Sequence, residues 1–333
     1  MNKVLLPLLL GVLILTAVPT LSADEVVVYS ARKEHLIKPL FDAYTKKTGT
    51  EIRYVTDKAG PLLARLKAEG AGTPADMLIT VDAGNLWRAA DQGALAVVDS
   101  PALSKNVPAH LRDPGNRWFG LSVRARSIVF STERVKEGEL STYEGLADPL
   151  WNGRLCLRTS KKVYNQSLVA MMIQRLGRDK AEAVVRGWVA NLATHPFSND
   201  TKVMEAIAAG QCDVGIVNTY YFGRLMKKKP DAALALFWPN QEDSGVHVNI
   251  SGAGITRHAR HHEAAVGLLE WLSGAEAQAL FAGLNMEYPV NPAVKMAPEV
   301  AAWGEFKQDQ SNVADAGRLQ IEAVMLMDRA GYR

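Results

Sequence analysis

Hydrophobic positions along the chain alternate between two periods. Glu25-Val26-Val27-Val28-Tyr29 is a β-branched run that predicts a strand. Leu36 to Lys47 repeats apolar residues at helical spacing and stops at Gly49. Glu51 to Val55 predicts a second strand, Pro61 to Ala68 a second helix, and Met77 to Val81 a third strand followed by a helix through Leu86 and Trp87. This βαβαβ rhythm predicts an α/β fold with a parallel sheet and helices on its faces. Trp118 to Phe130 reads as one long extended segment, enough to pass from one lobe to another. A second α/β set follows, with strands near Leu155 to Arg158, Asp213 to Val217 and Ala233 to Phe237. Gly252 to Thr256 is a further apolar strand candidate and Ala264 to Leu272 a further helix. Repeats and low-complexity tracts are absent from the sequence.

The first residues follow a different pattern. Met1-Asn2-Lys3 gives a basic start, Val4 to Val18 is nearly all apolar, and Ser22-Ala23 precede the acidic pair Asp24-Glu25. This is the layout of a secretory signal peptide over residues 1–23. The apolar stretch falls short of the roughly 20 residues that cross a bilayer comfortably, and Pro7 and Gly11 interrupt it. An exported, soluble, periplasmic protein is expected. A net charge of only +3 argues against a nucleic-acid surface. The Lys227-Lys228-Lys229 run reads as a solvated helix end before Pro230. The two cysteines, Cys156 and Cys212, meet an oxidising compartment after export, which favours a disulfide over two buried free thiols.

The chemistry concentrates in Asn218-Thr219-Tyr220-Tyr221, where an apolar strand gives way to a helix. Ligands in parallel α/β sheets bind at the carboxyl ends of strands. A phenolate is a hard anionic donor suited to a hard cation such as Fe³⁺; alternatively one tyrosine packs in the core and the other caps a surface. Walker or dinucleotide loops, a Gly-x-Ser-x-Gly elbow and a Cys-His pairing are all missing, which leaves little support for an enzyme. His258, His261 and His262 read as an exposed turn before a helix.

Several segments, in order, carry a family likeness: Tyr29-Ser30-Ala31-Arg32, Thr73-Pro74-Ala75-Asp76, Thr80-Val81-Asp82-Ala83-Gly84, Gly120 to Arg126, Tyr164-Asn165-Gln166-Ser167, Asn218 to Tyr221 and Glu287-Tyr288-Pro289-Val290. Together they resemble periplasmic ferric-ion-binding proteins, the substrate-binding subunits of iron(III) ABC importers. The resemblance implies a type II periplasmic-binding-protein fold, with two lobes, a hinge of two crossing strands and the ligand cleft between them. It implies discontinuous lobes, 24–123 with 251–300 and 124–250 with 301–333. It also implies Fe³⁺ as cargo, an inner-membrane ABC permease as partner, a monomer, and metal-binding tyrosines at Tyr164, Tyr220 and Tyr221. Three phenolates would balance the charge of Fe³⁺, and binding must displace their protons.

The first lobe departs from this family. Lys33-Glu34-His35 stands where many relatives carry a histidine and tyrosine, and the third strand ends Thr80-Val81-Asp82 without the glutamate that others place just after it. Glu34 and His35 remain weak metal candidates, better read as a solvated helix start. Arg32, Arg124 and Arg126 suggest another completion of the shell, because arginines repel a cation unless an anion intervenes. Carbonate occupies that place in relatives with this Tyr-Ser-x-Arg pattern, and guanidinium forks suit it. Arg124 and Arg126, two apart on a strand, are expected to share one face; ordinary ion pairs are the alternative for all three. The runner-up function is a binder of a small anionic or organic solute, held by the arginines with the tyrosines stacking. A secreted metallohydrolase would need an open coordination site and a general base.

Overall fold

A computed structural model describes residues 24–333; the segment expected to be a signal peptide lies outside them. Strands form on the β-branched runs: β1 (Glu25–Ser30), β2 (Glu51–Thr56), β3 (Met77–Val81), β4 (Phe119–Ser131), β5 (Leu155–Cys156), β6 (Val214–Asn218), β7 (Leu234–Phe237) and β8 (Val248–Ile255). They join in the order β2-β1-β3-β8-β4-β6-β5, with β7 also on β4. The pairs β1–β2, β1–β3 and β5–β6 are parallel, as the βαβ rhythm predicts. The middle of the sheet is not: β8 runs antiparallel to β3 and β4, and β4 antiparallel to β6 and β7. The sheet is therefore mixed, because β8 pairs with β3 across at least 170 residues (Val81↔Ser251) rather than through a local crossover.

β4 and β8 carry the chain between the two halves. β4 pairs with β8 through Ala125↔Val248, and from Arg126↔Asn218 onward it pairs with β6. Over Ser251 to Ala253 β8 lies between β4 and β3, and it stays paired with β3 as far as Ile255. Two strands shared in this way form a hinge: the backbone hydrogen bonds stay satisfied while the halves pack separate cores. One core gathers Val28, Leu40, Leu78, Leu86, Ile250 and Leu268; another gathers Ile128, Leu157, Val169, Trp188, Ile216 and Leu326. Burying each such side chain contributes about 1.5–3 kcal/mol. Val300, Val313 and Ala314 still belong to the first core, whereas Ala323 to Tyr332 belong to the second. The chain's last helix, Gln320–Arg329, thus covers the second half.

Cys156 and Cys212 are disulfide-bonded, 5.9 Å apart at Cα, inside a third cluster with Val203, Ile207 and Val217. Cys156 ends β5 and Cys212 stands two residues before β6, so the bond ties together the two parallel strands that lead on to the tyrosines. It closes a loop of sequence separation 56, which in the chain-entropy description stabilises by roughly 4 kcal/mol. Reduction, or Cys156→Ser with Cys212→Ser, should therefore lower the urea midpoint markedly without removing any cleft residue. An unchanged midpoint would show the bond to be energetically idle.

Candidate functional site

β6 ends at Asn218, and the next helix, Thr219–Lys228, begins with Tyr220 and Tyr221 in its first turn. Tyr164 occupies the first turn of the helix Val163–Leu176. Both helices therefore direct their N-terminal ends, the positive ends of their dipoles, at one place, where negative charge is favoured. The Tyr220 helix packs closely behind: a Cβ on Gly223 would lie 2.5 Å from Trp303, so only glycine fits there.

All three tyrosines line one cleft of about 570 Å³, together with Arg32 and Arg124 from the strands opposite. The rings of Tyr220 and Tyr221 lie 4.4 Å apart. Asn218 Nδ2 donates to Tyr220 Oη at 3.3 Å. Burial pushes the Tyr164 phenol up, with Arg124 opposing. Burial raises Tyr220 well above the ordinary value, and the neighbouring tyrosines add to that. Cations surround the trio: Arg158 and Lys162 lie 5.3 and 5.1 Å from the Tyr164 ring, and Arg224 lies 5.0 Å from that of Tyr220.

Six cationic side chains line the cleft against two carboxylates, Asp57 and Glu287. Glu287 is committed: its Oε2 accepts from Arg32 Nη2 at 3.0 Å and from Ser122 Oγ at 2.7 Å. Burial alone would raise this carboxyl, but Arg32 and Arg124 hold it below the ordinary carboxylate value. Arg124 is less engaged. Its Nη1 donates to Ser251 Oγ at 2.9 Å, while its buried Nε and Nη2 have no protein partner; Arg32 Nε has none either. Buried N–H groups of a cation are costly to leave unpaired; Arg126 Nε and Arg158 Nε, outside the cleft lining, lack a partner too.

Arg126 lies elsewhere. Between Ala125 and Arg126, β4 passes from one half of the sheet to the other, and the guanidinium enters the second half behind the tyrosines. There it bonds Asp200 Oδ2 at 3.2 Å and Asn218 Oδ1 at 3.0 Å, with Asn165 as a third partner. Asp200, fully buried, also accepts from Arg158 Nη1 at 3.2 Å and Asn218 N at 2.9 Å. Arg126 is thus a corrected expectation: it is absent from the cleft lining and holds the residues that flank Tyr164 and Tyr220. Glu34 and His35 are exposed and also absent from the lining; Glu34 accepts from Tyr54 Oη at 3.0 Å. The histidines His258, His261 and His262 stand at the start of the helix His262–Ser273, where His261 Nδ1 lies 3.0 Å from Asp76 Oδ2. Sequence reasoning missed Arg158, Lys162 and Arg224. Lys162 sits two residues before Tyr164, and Arg224 one helical turn after Tyr220, so the spacing held the signal.

Among the described residues no group of three or more His, Cys, Asp or Glu could hold a metal. Among the same residues, no helix is long and apolar enough to cross a membrane.

Two α/β halves on a shared two-strand hinge, with a cleft between them, define a type II periplasmic binding protein. The chain belongs to the bacterial extracellular solute-binding protein family, whose model matches residues 72–307. It is 42% identical to iron uptake protein A1 of Synechocystis, over 93% of this chain and 88% of that relative. It superposes on Trichodesmium FutA (IdiA), solved in complex with iron and citrate ligands, with a TM-score of 0.90 and 42% identity, covering 93% of this chain and 100% of that one. Ferric iron-binding protein A of Mannheimia haemolytica, in an open conformation, gives 0.88 and 39% over 93% and 99%.

Proposed function

We propose that this protein captures ferric iron in the periplasm and delivers it to an inner-membrane ABC permease, with Tyr164, Tyr220 and Tyr221 as metal ligands. The observation that carries the reading is the meeting of three phenols at two helix N-termini inside a cationic cleft. Phenolates are hard donors suited to Fe³⁺, and three of them cancel its charge. A small anion, carbonate or a carboxylate such as citrate, would then accept from the unpartnered N–H groups of Arg124 and Arg32. The relatives' iron binding, and the iron and citrate held by the Trichodesmium protein, support the same reading. Binding and release need no covalent chemistry; lobe closure would hide the ion and present both lobes to the permease.

Iron-loaded protein should show a visible phenolate-to-iron charge-transfer band that titrates with one Fe³⁺ per chain. A colourless protein that binds the anion alone would overturn this reading in favour of an anionic solute. The pH dependence has a definite sign. Free phenols titrate near pH 10, and burial pushes Tyr164 and Tyr220 higher, so both carry protons in the metal-free protein at neutral pH. Each proton displaced by iron makes the apparent affinity fall about tenfold per pH unit of acidification. From these two groups alone, affinity should drop about 100-fold between pH 7 and pH 6. A competition titration against a chelator of known proton dependence checks this, and a flat profile would mean that the phenols are not the ligands.

A further inference from the structure

Asp82 is a buried carboxylate that the proposed iron shell does not use. It follows β3 at φ +79°, a left-handed backbone conformation that L side chains rarely adopt, and its side chain is fully buried. Strain of this kind persists only where the surroundings over-determine it, and it concentrates at functional positions. The carboxylate's partners come from three parts of the chain. Oδ1 accepts from Gly84 N at 2.9 Å within its own turn. Oδ2 accepts from Asn249 Nδ2 at 3.0 Å on the hinge strand β8. Both oxygens accept from Ser167 Oγ, at 2.8 and 2.9 Å, in the second half.

Ser167 lies in the helix that carries Tyr164 in its first turn, three residues earlier and on the same face. Asn249, in turn, accepts from Ala83 N at 2.9 Å. On the other side of Asp82, Val81 and Asn85 line the cleft directly. One carboxylate thus joins the first lobe's cleft wall, the hinge and the ligand-bearing helix of the second lobe.

We propose that Asp82 is a positioning residue that latches the lobes through Ser167 and fixes the Tyr164 helix against the first lobe. The proposal rests on the iron-binding reading and adds to it a determinant of closure. Burial pushes the Asp82 carboxyl up, with Arg124 opposing; the donors on it are neutral, so this buried group depends on keeping all of them. Separating the lobes removes the Ser167 hydroxyl from the carboxylate, whereas Gly84 and Asn249 stay with it. The latch therefore favours the arrangement in which Tyr164 meets the other tyrosines, and it slows release without touching the metal.

The test is Ser167→Ala in the mature protein, with Asp82→Asn and the double variant. Iron release to a competing chelator should be about tenfold faster in each single variant, at an unchanged charge-transfer maximum and with the metal-free form still folded. The double variant should release no faster than the faster single variant, because both changes break one contact. Small-angle scattering of the metal-free protein should show a larger radius for Ser167→Ala than for wild type. Unchanged release and radius in Ser167→Ala, or additive effects in the double variant, would overturn the latch. A shifted band maximum would overturn it as well, by placing the effect on the metal shell. If wild type shows no iron band, the function reading fails, and the scattering comparison still decides the latch by itself.

Discussion

Changing Tyr220 and Tyr221 together to Phe is expected to abolish the visible band and to lower ferric affinity by on the order of a thousandfold or more, about 4 kcal/mol. Two of three hard anionic donors disappear, and the cations that remain, Lys162 and Arg224 among them, then face Fe³⁺ uncompensated. The fold should survive. Tyr220 Oη contributes one long hydrogen bond, from Asn218 Nδ2, and Asn218 keeps its other contacts to Arg126 and Asp200. Losing such a bond costs about 1 kcal/mol. Both rings remain, so their tilted mutual contact and the fit of the helix against Trp303 are preserved. Isothermal titration with a ferric chelate, beside a melting curve of the metal-free protein, checks both halves. Retained colour with wild-type affinity would remove these tyrosines from the metal shell.

Much of this arrangement was legible in the sequence, for identifiable reasons. Strand and helix periods located β1, β2 and β3 to within a residue or so, because β-branched runs bounded by caps leave little choice. Tyr220 and Tyr221 stood out because an apolar run of five residues ends beside them, and a strand end followed by a helix start fixes where they point. Strand direction in the middle of the sheet was not legible. Hydrophobic runs fix which segments are buried, but not which distant partner they pair with, and β3 pairs with β8 across more than 160 residues.

Arg126 failed for a related reason. Alternation along a strand holds within one sheet environment; β4 changes partners from β8 to β6 between Ala125 and Arg126. Its counter-charge, Asp200, opens a helix 74 residues away, and no local pattern announces it. The same long-range character hid Glu287 as the partner of Arg32, 255 residues apart. Local periodicity therefore located the strand ends and helix starts that carry the tyrosines, while the networks around them came only from tertiary contacts.

These networks also decide which arginine tests the anion. Arg32→Ala would strip Glu287 of its cation, and an uncompensated buried carboxylate destabilises by about 3–5 kcal/mol. Any loss of iron would then be confounded with damage to the fold. Arg124 is the cleaner choice. Of its guanidinium nitrogens only Nη1 has a protein partner, Ser251, while Nε and Nη2 are buried and free. Removing it takes away unsatisfied donors, so the metal-free protein should keep its stability to within about 1 kcal/mol. Iron binding should respond strongly. A hydrogen bond between charged groups contributes about 1.5–3 kcal/mol, so Arg124→Ala should lower ferric affinity about 10- to 100-fold in buffer containing bicarbonate or citrate. In buffer stripped of both, the difference from wild type should shrink, because no anion is left for the guanidinium to hold. Parallel titrations of the two proteins, with and without anion, make the comparison. If wild-type affinity is indifferent to bicarbonate, citrate and other small anions, the free N–H groups do not serve an anion. Glu34 and His35 stand outside the cleft lining, so water would then complete the shell around three phenolates.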